Sequence, residues 1–178
     1  MQKNAEIMHY HVQDVVLYGQ SGVCRIADIA EKDMGGGPRP YYILQPVFEE
    51  SATIFVPVGS EALTAKMRRV LSEAEITALI NSLPQADSIW IDDDNARRER
   101  YKAILTGGDP GELLRLIKTL HLRAQNQKAQ NKRPHLEDER FMKQAEKLLY
   151  GEFAHVLHIQ REEVLPYILS RLPPTAAS

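Results

Sequence analysis

The chain has 178 residues, 43% of them hydrophobic and 26% charged, which is the composition of an ordinary soluble globular protein of one domain or two small ones. No run approaches the ~20 apolar residues that span a bilayer, residues 1–6 lack an apolar signal core, and Cys24 stands alone. A cytoplasmic protein is therefore expected, with no membrane partner, no intrachain disulfide and no Cys-based metal site.

The net charge of −2 is unevenly spread. Residues 95–133 hold ten Lys/Arg against three Asp/Glu, a net of +7, whereas residues 1–60, 61–94 and 134–178 stand at −3, −4 and −2. The natural partner of such a local excess is a polyanion.

The first part of the chain predicts strands. Val15-Val16-Leu17-Tyr18 is a short β-branched and aromatic run that ends at Gly19-Gln20-Ser21-Gly22, where glycine permits positive φ. Residues 23–29 resume as a second strand, 41–44 as a third and 51–57 as a fourth. Alternation in the fourth puts Ile54, Val56 and Val58 on one face and Thr53 and Phe55 on the other. Four short strands in this space predict a small SH3-like or Tudor-like barrel over residues 1–60. Its exposed edge strand offers a place for a partner's strand. Phe55 is either a contact residue there or packed against the helical domain. Cys24, in an apolar run, reads as a buried inert thiol.

Residues 61–178 predict an all-α second domain, so the fold class is α+β. Ser72 and Glu75 have the capping-box spacing, and Ile76, Leu79, Ile80 and Leu83 follow at helical period before Pro84. Asp92, Asp93 and Asp94 precede a helix over 95–106, where carboxylates suit a helix N-terminus. Asp109 caps the next helix, with Pro110 first and Glu112 third, and Leu113, Leu116, Ile117, Leu120 and Ala124 form its stripe. The polar stretch 125–133 carries no stripe and is expected to fray. Phe141, Ala145, Leu148, Leu149, Phe153, Val156 and Leu157 predict a long amphipathic helix, and Val164, Leu165 and Ile168 a last one over 160–171. Residues 173–178 read as a tail.

Little in the sequence points to catalysis. The 92–94 triplet projects in several directions and suits capping better than cation binding. Glu152 and His155 make one Glu-x-x-His pair where di-iron sites need two pairs and two further carboxylates. His9 and His11 have no evident acidic partner. No phosphate loop or nucleophile elbow occurs, so the protein is expected to be no enzyme and to use no cofactor or metal. The basic block points instead to phosphate, since residues 113–133 contain six Lys/Arg and no acid. Trp90, the only tryptophan, is either a core anchor or an aromatic presented beside that basic surface, where it would wedge at a base step.

The ordered set of these pieces resembles the CarD-type bacterial transcription regulators, also called CdnL, over residues 11–160. Residues 14–26 look like that family's opening strand, glycine turn and second strand. Tyr41-Tyr42-Ile43-Leu44 and Ile54-Phe55-Val56-Pro57-Val58 match its third and fourth. Met67-Arg68-Arg69-Val70-Leu71-Ser72 matches an Arg-containing link into the helices. Trp90, Arg100-Tyr101-Lys102 and Gly108-Asp109 match the helical domain's pattern, as does Ala145-Glu146-Lys147-Leu148-Leu149 with Glu152. Two positions depart from it: Gly19-Gln20-Ser21-Gly22 replaces a Pro-x-His-Gly found in many members, and Phe55 replaces a basic residue found in some.

The resemblance implies an N-terminal module, shared with the transcription-repair coupling factor, that docks on the RNA polymerase β subunit. Arg25, Thr53, Ile54, Phe55 and Val56 would form that contact. It implies a helical domain on promoter DNA at the upstream edge of the bubble, through Trp90, Arg97, Arg98, Arg100, Lys102, Arg115 and Lys118. The indole would then stabilise the open complex by wedging in the minor groove. The alternative is a non-catalytic adaptor whose β module binds a protein and whose basic helices bind RNA or an acidic partner.

Overall fold

A computed structural model describes residues 10–173. His9, residues 1–6 and most of the C-terminal tail lie outside them. The chain divides into two compact units: residues up to Tyr18 with Val23–Arg69, and Gly19–Gly22 with Val70 onward.

The first unit is an antiparallel sheet of five strands: β1 (Val15–Tyr18), β2 (Val23–Lys32), β3 (Arg39–Pro46), β4 (Ile54–Pro57) and β5 (Met67–Arg69), in the order β4-β3-β2-β1-β5. Its core follows from register. Val16 faces Cys24, Ile26 faces Leu44, and Tyr42 faces Val56, so inward side chains of neighbouring strands meet directly. Met67 joins this cluster, and Tyr10, Tyr18, Ile54, Val58 and Leu63 pack on it. A bulge between Ile26 and Asp28 shifts the β2–β3 register. Cys24 is fully buried, and burial pushes its thiol up to about 11.

Two elements of this unit were not foreseen. The predicted link at 67–69 pairs with β1 as a fifth strand, Val16 facing Arg69 and Tyr18 facing Met67. A single helical turn, α1 (Glu61–Thr64), is capped by Ser60. The fourth strand is shorter than expected, so Thr53 precedes it. His11 does have an acidic partner: its backbone N–H donates to Asp14 at 2.8 Å and its Nδ1 lies 3.7 Å from the same carboxylate.

The second unit holds α2 (Glu73–Ser82), α3 (Asp94–Gly107), α4 (Pro110–Ala129), α5 (Leu136–Leu157) and α6 (Val164–Arg171). Their inward residues form one core, in which Ile76, Ile80, Tyr101, Leu116, Leu149, Phe153 and Val164 are almost wholly buried. The sequence signals act as expected at the helix starts. Ser72 and Glu75 close a full capping box on α2. Asp93 accepts the Ala96 N–H at 2.7 Å and Asp109 the Glu112 N–H at 2.9 Å. Gly108 ends α3 at φ +66°, a conformation that favours glycine.

The stretch after Ala124 does not fray where expected. It stays helical to Ala129, because Ala, Gln and Lys are strong helix formers and need no buried face over one further turn. Glu152 is buried at 1% exposure and accepts the Leu71 N–H at 3.0 Å. Among the described residues no helix is long and apolar enough to cross a membrane. No group of three or more His, Cys, Asp or Glu side chains there is arranged to hold a metal ion.

Candidate nucleic-acid interface

The segment between α2 and α3 has no regular structure beyond a 3-10 turn at Leu83–Gln85. Its backbone groups need partners, and α4 supplies them from side chains one turn apart. Lys118 donates its ammonium to the carbonyls of Leu83 at 2.7 Å and Ala86 at 2.9 Å. The buried Thr119 hydroxyl accepts the Ile89 N–H at 3.2 Å. Arg115 reaches the Asp87 carbonyl at 3.4 Å. Ile89 is buried, so residue 90 is delivered at a fixed point on the surface of this unit.

Trp90 is half-buried there. Its backbone N–H donates to Ser88 and its indole Nε1 donates to Asp92 at 3.1 Å. Two guanidinium groups stack on the ring, Arg97 at 4.1 Å and Arg123 at 3.4 Å from its centroid. The indole is thus neither sealed in the core nor bare; cations cover its faces. The three acidic residues have separate partners: Asp92 the indole, Asp93 the start of α3, and Asp94 the Arg97 guanidinium at 2.5 Å.

The predicted cations are mostly paired. Arg97 also donates to the carbonyls of Ile91 at 2.8 Å and Asp92 at 3.3 Å, and its side chain is only 13% exposed. Arg98 makes a two-pronged bond to Glu137 at 2.6 and 3.0 Å. Arg100 and Arg115 share Glu112, at 2.5 and 2.9 Å, and Lys102 meets Glu99 at 3.2 Å. The Arg97 bond holds the Asp94 carboxyl below its usual range, and the Arg98 bond does the same for Glu137. Lys128, Lys132 and Arg133, at and beyond the end of α4, have no ion-pair partner among the described residues.

Sequence reasoning missed Arg123. A signal for it existed: position 123 continues the stripe of Leu116 and Leu120 at helical spacing, so a cation there faces inward. Arg123 lies 3.8 Å from Asp138, yet its Nε and the Asp138 Oδ2 are both buried without a hydrogen-bond partner.

On the sheet, β4 is an edge strand. Phe55 projects outward at 38% exposure and meets Tyr41 edge-on at 6.5 Å. Val56 is fully buried and Ile54 half-buried, so the Val56 side chain is closed to a partner and that of Ile54 partly so. Thr53 and Arg25 are exposed.

Compared with known families, residues 10–71 match the CarD-like/TRCF RID domain. That match gives the sheet unit a transcription-related role in binding RNA polymerase. No curated protein matches the chain.

Proposed function

We propose that this chain, whose residues 10–71 form a CarD-like/TRCF RID domain, regulates transcription without catalysing a reaction. It docks on the polymerase β subunit through the β4 edge, with Arg25, Thr53 and Phe55 as side-chain contacts and the backbone at Ile54 and Val56 as strand partner. The helical unit then engages promoter DNA at the upstream edge of the bubble. Arg98, Arg100 and Lys102, with Lys128, Lys132 and Arg133, supply a salt-dependent and sequence-independent attraction to phosphate. Trp90 enters the minor groove at the melted junction and opposes re-annealing, since unstacking a step costs a few kcal/mol only where the duplex is still closed. Attachment to polymerase raises the effective concentration of a weak DNA contact. Arg97 holds the indole from one side, while Lys118 and Thr119 fix the segment that carries it.

The observation that supports this reading most is the sole indole, half-exposed and flanked by cations, in a chain that carries a polymerase-binding domain. The test is the lifetime of open complexes formed by polymerase on a linear promoter. Trp90→Ala is expected to shorten it severalfold relative to the parent chain while polymerase binding persists. An unchanged lifetime removes the wedge.

A further inference from the structure

A wedge that unstacks a base step leaves a base without a neighbour, and such a base is costly unless something receives it. Beside Trp90 lies a cavity of about 650 Å³, within the range that accommodates small organic groups. Trp90 and Arg123 line it and Arg97 does not, so it opens on the Arg123 side of the ring. Its other walls include Asn126, Gln127 and Gln130 at the C-terminal end of α4, and Lys132 just beyond.

The two guanidinium covers are held very differently. Arg97 is fixed by two carbonyls and a carboxylate. Arg123 has only a 3.8 Å approach to Asp138, and its Nε makes no hydrogen bond. Arg97 is therefore anchored by bonds away from the ring, whereas Arg123 is held chiefly by its stacking on the indole at 3.4 Å, a contact that a stacked base would replace. Movement of Arg123 toward Asp138 would give both buried orphan atoms the partner they lack.

We infer that this cavity is a site for one unpaired nucleobase of opened DNA, which replaces Arg123 against the face of Trp90. The inference rests on the wedge reading and adds the destination of the displaced base. The base stacks on the indole, a contact open to any base because every base has a π face. The amides of Asn126, Gln127 and Gln130 each offer donors and an acceptor to its edge. Lys132, with no ion-pair partner among the described residues, takes the adjoining phosphate.

The test uses the full chain and a forked duplex in which one abasic position is moved stepwise through the junction. Anisotropy of a fluorescein label on the fork reports binding for the parent chain and for every variant, Trp90→Ala included. An abasic residue at one junction position is expected to weaken binding about tenfold, the scale of one base–aromatic stack. In Gln127→Leu, a change outside the buried core, that penalty is expected to shrink. A scan that is flat, or tighter wherever the base is missing, while Trp90→Ala still weakens binding, overturns the base site and leaves the wedge standing. Undiminished binding by Trp90→Ala overturns both. Tighter binding to single-stranded RNA than to the fork overturns the assignment to opened DNA.

Discussion

Tyr101 shows how much a single side chain contributes to this unit. Its ring is 1% exposed and meets Phe141 edge-on at 5.4 Å, yet its hydroxyl has no hydrogen-bond partner. Burial first, then the nearby Asp138 carboxylate, pushes that hydroxyl up to about 12. The ring, not the hydroxyl, stabilises the fold. Tyr101→Phe is expected to change stability in denaturant by less than about 0.5 kcal/mol, because it removes an unpaired polar atom rather than a bond. Tyr101→Ala is expected to cost about 3–5 kcal/mol through the cavity it opens. At this scale the sequence is readable for local pairs only. Asp93 capping its own helix could be seen, since cap and N–H are three residues apart. The Arg123 cover on Trp90 could not, because the two residues are brought together only by α4 docking on the 83–90 segment. The same docking places the Lys118 ammonium on two carbonyls of that segment, contacts that no local pattern in the sequence announces.

The helices were legible from caps and stripes because those signals are local, whereas β5 was not. Met67-Arg68-Arg69 has neither length nor alternation, and it is a strand only because β1 offers it a paired edge. For α3 the cap gives a direct prediction. Asp93→Ala is expected to lower stability by about 1 kcal/mol, read from the urea midpoint. The acid response follows from the two carboxyls tied to this helix. Asp94 and Glu137 titrate below their usual range, so folding is favoured by them above the unfolded carboxylate range and loses that support as pH falls through the lowered values. Melting temperature is expected to decline on acidification below about pH 4. In Glu137→Gln the decline should be shallower, because the Arg98 pair is already gone. Both groups are exposed, so the effect is modest.

For the molecule as a whole, the α+β order was legible from strand spacing and helix stripes and the polymerase-binding domain from the ordered motifs, while the surface proposed to face DNA was legible only as a charge block. If the sheet unit brings the helical unit to the promoter, the two activities are coupled in one direction. Phe55→Asp is expected to reduce co-purification with polymerase, whereas Trp90→Ala leaves it unchanged. On open-complex lifetime the double variant should resemble Phe55→Asp alone, since an undelivered wedge has nothing left to lose. Independent, additive losses would argue against delivery by polymerase. The carboxylate of Glu112 carries a last consequence. It engages Arg100 and Arg115 together, as Glu137 engages Arg98 and Glu99 engages Lys102. In the proposed reading a phosphate competes with these carboxylates, so Arg98, Arg100 and Lys102 hold any duplex, promoter or random, less strongly than Lys128, Lys132 and Arg133, which have no ion-pair partner among the described residues.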